Sequence, residues 1–119
     1  MLNFFIIKMI HNMKLSEPYY SLVRKKEKTV EIRIYDEKRQ KLQINDFIEF
    51  SKQDGSGKFK LKIENLVYST NFEKSIRRST LKKCMPNIKS IKEAVNIYHS
   101  FPNYKKNAKK YGVIAIYLK

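Results

Sequence analysis

The run Lys28-Thr29-Val30-Glu31-Ile32-Arg33-Ile34-Tyr35 alternates in a way that decides the reading of this chain. Val30, Ile32 and Ile34 share one parity; Thr29, Glu31, Arg33 and Tyr35 share the other. Side chains on a strand point alternately to its two faces, so the aliphatic set enters a core while the polar set lines a surface. Glu31 and Arg33 then stand about 7 Å apart on one face, at about 3.3 Å per residue. That places an acceptor beside a fork of donors, which suits a polar ligand with an amide-like edge and a nearby phosphate. Tyr35 extends the row with a flat ring on which a base can stack. An exposed strand face with an ordinary ion pair fits the same residues.

Upstream, Ser16-Glu17-Pro18 predicts a helix start, with Ser16 as N-cap and Pro18 in the first turn. Tyr19, Leu22 and Val23 follow at helical spacing, and the helix ends near Lys25-Lys26. Residues 4–15 read as a further strand. Downstream, Asp36 to Gln40 is a charged turn, and Leu42, Ile44, Phe47, Ile48 and Phe50 suggest a strand interrupted at Asn45-Asp46. Asp54-Gly55-Ser56-Gly57 is a loop, and Phe59, Leu61 and Ile63 alternate with Lys58, Lys60 and Lys62 as a half-buried strand. Phe72 to Ile76 and Leu81 to Met85 read as basic helical segments stopped by Pro86. Ile88, Ile91, Ala94, Val95 and Tyr98 have helical spacing up to Phe101-Pro102-Asn103, and Tyr111 to Leu118 is a final strand. Five or six strands with such connections predict an α+β fold: a small, mostly antiparallel β-barrel with about three flanking helices.

At 119 residues the chain has room for one domain. A charged content of 31% argues against a membrane protein. The apolar start, with Phe4-Phe5-Ile6-Ile7, is too short to span a bilayer and lacks the flanks of a signal peptide. Residues 1–11 read as an N-terminal extension or extra strand, Met13 as an alternative start, and 12–119 as the domain proper. The net charge of +15 is unevenly spread. Residues 1–73 hold 14 Lys/Arg against 10 Asp/Glu, whereas residues 74–119 hold 12 against the single acid Glu93. A polyanion, most commonly nucleic acid, is the natural partner. A composition rich in Lys, Asn and Ile accounts for part of the same excess. Cys84 is the single cysteine, so no intramolecular disulfide forms, and an intracellular setting, cytoplasmic or nuclear, is expected. His11 and His99 lie far apart in sequence, so neither a metal nor another cofactor is expected.

Several stretches follow one another in a familiar order: Lys14-Leu15, Glu17-Pro18-Tyr19, Lys28 to Arg33, Tyr35 to Arg39, Asn45 to Phe50, and Lys110-Tyr111-Gly112-Val113. Over roughly residues 12–119 they resemble the activating signal cointegrator homology (ASCH) domain, a member of the PUA-like superfamily. Two family glycines are replaced here by Glu27 and Asn45, the latter by the residue that best tolerates a positive φ. The resemblance implies a small PUA-like barrel with a helix after its first strand. It also implies a cleft between helix and barrel, lined by the Lys-Thr-x-Glu-x-Arg strand. Domains of this family are generally thought to bind RNA or modified nucleosides. One branch hydrolyses the acetyl amide of acetylcytidine, with a Thr at the position of Glu31 and a Lys at the position of Lys28; here the nucleophilic hydroxyl is missing.

The candidate ligand-binding residues are Tyr19, Lys28, Thr29, Glu31, Arg33, Tyr35, Asp36, Arg39, Ser100 and Tyr111. Lys28 suits a phosphate anchor or, desolvated near Arg33, a general base. Glu31 suits an acceptor for a base amino group or an acid–base partner, and Arg33 a bidentate phosphate clamp. Tyr19 is a stacking platform, and Asp36, Lys38 and Arg39 form a charged turn that covers the cleft mouth. Tyr98, Ser100 and Tyr111 are placed near the rim by the resemblance. Arg77, Arg78, Lys82, Lys83, Lys105, Lys106, Lys109 and Lys110 make a track for a phosphate backbone, which positions a strand without reading it. The leading expectation is an RNA-binding module for single-stranded RNA or a modified nucleotide, with no membrane partner. The alternative is an RNA- or nucleoside-processing hydrolase of ribonuclease or amidohydrolase type, with Lys28 and Glu31 catalytic. A third is an interaction adaptor docking through Phe4 to Ile7.

Overall fold

The structure, a computed structural model, describes residues 8–119. Its strands are β1 (Ile10–Lys14), β2 (Val30–Ile34), β3 (Phe47–Ser51), β4 (Phe59–Ser69) and β5 (Val113–Leu118). They form one curled sheet in the order β1-β3-β4-β5-β2, parallel between β1 and β3 and antiparallel elsewhere. The helices are α1 (Tyr19–Arg24), α2 (Phe72–Ser79), α3 (Leu81–Cys84), α4 (Ile91–Ser100) and α5 (Tyr104–Tyr111), with one 3-10 turn at Arg39–Lys41. The α+β, barrel-like architecture expected from the sequence is what forms. β1 and β2 are the two free edges of the curl, and Arg33 Nη2 reaches across to donate to the Lys14 carbonyl at 3.1 Å.

Both faces of the sheet are covered. On the inner face Met13, Leu15, Ile48, Phe50, Ile63, Ile114, Ile116 and Leu118 pack with Tyr20 and Val23 of α1. On the outer face Val30, Ile32, Ile34, Val113 and Ala115 lie under Phe72, Ile76, Cys84, Met85, Ala94, Tyr98 and Ala108 of the helical layer. This explains why β5 is apolar at both parities, as strands buried on both sides are. In β2 the register pairs Glu31 with Ile116 and Arg33 with Ile114, so the ionic row faces inward. The expected alternation of β2 is present, but the polar set does not line an open surface: Glu31 is 5% exposed and Lys28 2%.

Local chemistry accounts for the element boundaries. Asn71 and Ser90 cap α2 and α4 by accepting from the backbone N–H groups of Lys74 and Glu93. Ser16 does not cap α1; the helix starts later, with Pro18 at its N-cap, and the longer Glu17 carboxylate accepts from Ser21 N and Ser21 Oγ instead. Leu42 and Ile44 fall outside β3. The 3-10 turn intervenes, and the buried Asp46 carboxylate accepts from Met9 N and Gln43 N while meeting His11 Nε2 at 2.8 Å. Asn45 adopts φ +77°, in keeping with its tolerance of the left-handed region. Among the described residues there are five helices, two more than expected. α5 buries only Ala108 deeply, too weak a stripe to mark a helix, and it takes Tyr111 out of the last strand. β4 runs past Ile63 to Ser69 through an irregularity between Ile63 and Asn65 that breaks its alternation. The expected strand over residues 4–15 is realised at Ile10–Lys14; Phe4 to Ile7, with the docking patch read there, lie outside the described residues.

Gly112 joins α5 to β5 at φ +74° and ψ −170°, a region open essentially to glycine, and a Cβ there would run into the Tyr68 ring. Gly112→Ala is expected to destabilise the fold by about 1–3 kcal/mol, read as a lower urea midpoint at unchanged slope.

Candidate functional site

The site is built where the two sheet edges approach each other. Lys28 follows α1, and its Nζ donates to the Val30 carbonyl at 2.9 Å, to the Cys84 carbonyl at the end of α3, and to Glu31 Oε1 at 3.2 Å. These three acceptors use all three hydrogens of an ammonium. Glu31 Oε2 accepts from Arg33 Nε at 2.9 Å, and Arg33 continues to Lys14 O. One carboxylate thus holds two cations, and the row ties β2 to α3 on one side and to β1 on the other.

The electrostatics follow from this burial. Desolvation is the largest influence on Glu31 and pushes its carboxyl upward, but the charges of Lys28 and then Arg33, with their hydrogen bonds, outweigh it and leave the pKa below the ordinary value. Desolvation likewise works against the Arg33 guanidinium, yet Glu31 lifts it above its usual range. Burial, and after it Glu31, raises the Tyr19 phenol, and the same causes raise Tyr98 well above its ordinary value.

Three hollows meet along this row. A groove of about 850 Å³ is lined by Asn12, Lys14, Arg33, Lys38, Arg39, Glu49, Gln53, Asp54 and Lys58, among others. It presents five cations against two acids. A second hollow of about 170 Å³ shares Lys14, Arg33 and Gln53 with it and is walled by Tyr19, Ile32, Tyr98, Phe101 and Tyr104. A third, of about 30 Å³, shares Tyr19, Tyr98 and Phe101 with the second and ends on Lys28, Glu31 and Met85. The 54–57 loop is held as a wall of the groove by Tyr20 Oη, which donates to Gly57 O at 2.7 Å, and by Arg24, which donates to both.

The structure therefore brings Tyr19, Lys28, Glu31, Arg33 and Arg39 together. Asp36 lies beside them through its ion pair with Arg39 at 3.0 Å. It does not bring the other four candidates to a hollow. Thr29 bonds through its backbone to Lys83 and Leu118. Tyr35 packs on Tyr68, with centroids 5.4 Å apart. Ser100 Oγ is turned back to the Ile97 carbonyl at 2.5 Å, and Tyr111 packs on the helical core beside Lys110. The eight basic residues of the expected phosphate track are exposed on α2, α3 and α5 and line none of the three hollows.

Lys38, expected at the cleft mouth, lines the groove, and Tyr98, expected near the rim, lines the two inner hollows. Residues not singled out from sequence complete the walls, Lys14, Gln53 and Lys58 in the groove and Phe101 and Tyr104 further in. The aromatic spacing of three residues across the end of α4 was a usable signal, but it reads equally as core.

A family model described as ASCH domain matches residues 13–119. The crystal structure of hypothetical protein PH0355 is similar, with a TM-score of 0.83 and 32% identity over 93% of this chain and 98% of that one. The solution structure of protein PF0455 from Pyrococcus furiosus gives a TM-score of 0.74 and 31% identity over 93% and 96%. No curated protein matches the sequence. Among the described residues no helix is long and apolar enough to cross a membrane.

The depressed Glu31 pKa fixes a sign. A carboxyl whose pKa is lower folded than unfolded stabilises the fold above its unfolded value and loses that contribution as pH falls through the folded one. Wild-type stability should hold down to about pH 4.5, the ordinary glutamate value, and then decline. Glu31→Gln should be less stable at neutral pH by about 3–5 kcal/mol, because two buried cations lose their counter-charge, and should lack that part of the acid decline in urea titrations.

Proposed function

This chain belongs to the ASCH domain family, and on that premise we propose that it binds RNA, holding one nucleotide of a single strand, ordinary or modified, along the seam between β1 and β2. The observation that carries this reading is the position of Arg33. It stands at the junction of the cationic groove and the aromatic hollow, with Nε anchored on Glu31 and part of its guanidinium facing the groove. A fixed guanidinium suits a phosphate oxygen, and the neighbouring rings suit a base face. Lys14, Lys38 and Lys58 around the groove add diffuse attraction for the backbone. The further cations of α2, α3 and α5 serve strand placement rather than reading.

The hydrolase alternative draws less support. Lys28 is engaged by three acceptors and has no lone pair free to take a proton, as a general base must.

Labelled single-stranded RNA should bind in fluorescence anisotropy at low salt, with log affinity falling linearly against log salt. Lys38→Ala and Lys58→Ala, at exposed positions, should each weaken binding severalfold and flatten that slope by about 0.7. Absence of binding at low salt would overturn the proposal.

A further inference from the structure

The innermost hollow ends on two polar groups with unused capacity. Tyr98 is 3% exposed, and its hydroxyl has no hydrogen-bond partner among the described residues. Buried hydroxyls are normally satisfied, so an orphan at the floor of a hollow marks a place where a partner arrives. Its position is not adjustable. The Tyr98 ring stacks on Phe72 at 4.5 Å between centroids and 10° between planes, and Phe101 meets it edge-on at 6.3 Å. Beside it is Glu31. Each of its oxygens accepts one hydrogen bond, from Lys28 or from Arg33, and a carboxylate oxygen has room for a second. The floor thus offers one acceptor that carries charge and one hydroxyl free to donate.

The sequence of environments leading to that floor is ordered. Cations line the outer groove, rings line the middle hollow of about 170 Å³, and the inner space of about 30 Å³ admits little more than the tip of a ring. A nucleotide has the same order of chemistry: phosphate, base face, base edge. Resting on the RNA-binding reading above, we propose that Glu31 and Tyr98 form a specificity pocket for a base edge with an exocyclic amino group beside an unprotonated ring nitrogen. The amino group donates to the Glu31 carboxylate and the ring nitrogen accepts from the Tyr98 hydroxyl. Cytosine and adenine present that edge. In the pose that cytosine takes, uracil sets a carbonyl oxygen where cytosine has the amino group, facing a carboxylate that cannot donate. Tyr98 is in this view a specificity-determining residue. Its elevated phenol pKa, caused first by burial and next by Glu31, keeps it protonated as a donor.

The test compares a short oligocytidylate with an oligouridylate of the same length, on wild-type protein and on Tyr98→Phe. Wild type should prefer the cytidine strand by at least about tenfold, since a site built to bond a polar edge strongly rejects an analogue that leaves it unmet. Tyr98→Phe should shrink that preference severalfold while the melting temperature stays level or rises, because the variant removes an unsatisfied buried hydroxyl. A purely structural role for Tyr98 would leave the ratio untouched, and an unchanged ratio would overturn its assignment. Equal binding of the two strands by wild type would overturn the pocket while leaving the RNA reading intact. Failure of both strands to bind at low salt would bring down the RNA reading, and this one with it.

Discussion

A carboxylate buried between two cations is the constraint on which this molecule is arranged. Glu31 is nearly sealed from water, and neither Lys28 nor Arg33 would tolerate its position without it. Taking three charges out of solvent is unfavourable unless each is met by opposite charge and by hydrogen bonds. Here that condition recruits backbone from three places: the Val30 and Cys84 carbonyls for Lys28, and the Lys14 carbonyl for Arg33. Satisfying the ions therefore fixes where α3 ends against β2 and how far the two edges of the curled sheet stand apart. Replacing the row by aliphatic side chains would satisfy the burial and lose the seam.

The seam itself follows from sheet topology. A five-stranded curl leaves two edges with unpaired backbone groups, which ordinarily need protection. β1 and β2 are not hydrogen-bonded to each other through a ladder; Arg33 spans the gap with a side chain. That leaves room for hollows where a fifth strand pairing, of β2 with β1, would have closed the barrel. The helical layer packs on β2 through Val30, Ile32 and Ile34, and it also reaches the inner hollows, where Ile32, Met85, Tyr98 and Phe101 meet Glu31 and Arg33.

Much of this was legible in the residues. The alternation of β2, the Asp54 to Gly57 loop, the alternation over Phe59, Leu61 and Ile63, and the periodic face of α4 are local signals, and the structure keeps each of them. The breaks in legibility have physical causes. α5 carries Lys and Asn at most positions and is stabilised by packing against α4 and β2 rather than by its own amphipathic stripe. The extent of β4 is hidden by a register irregularity. The Lys-Glu-Arg row could be placed on one strand from sequence. Its burial, and the union of Tyr98, Phe101 and Lys58 around it, depend on contacts between residues far apart in the chain, which periodicity does not encode. The same is true of Thr29, Tyr35, Ser100 and Tyr111: neighbours of the row in sequence or by resemblance, yet turned toward other partners.

On the RNA-binding reading proposed above, an acid at the floor of the cleft looks at first like a contradiction. The local charge resolves it. Lys28 and Arg33 together outnumber Glu31, so the row carries a net positive charge, and the groove outside adds four further cations against Glu49 and Asp54. On that reading an approaching phosphate meets more cations than acids both in the groove and in the row. The carboxylate has its charge compensated but retains lone pairs, so it acts on a ligand as a directional acceptor more than as a repelling ion. Only a group able to donate gains from reaching it. In the proposed reading, attraction and discrimination fall at different depths of one passage: long-range charge at its mouth, and short-range hydrogen-bond geometry at its end, where water is scarce and an unmatched polar edge is most unfavourable.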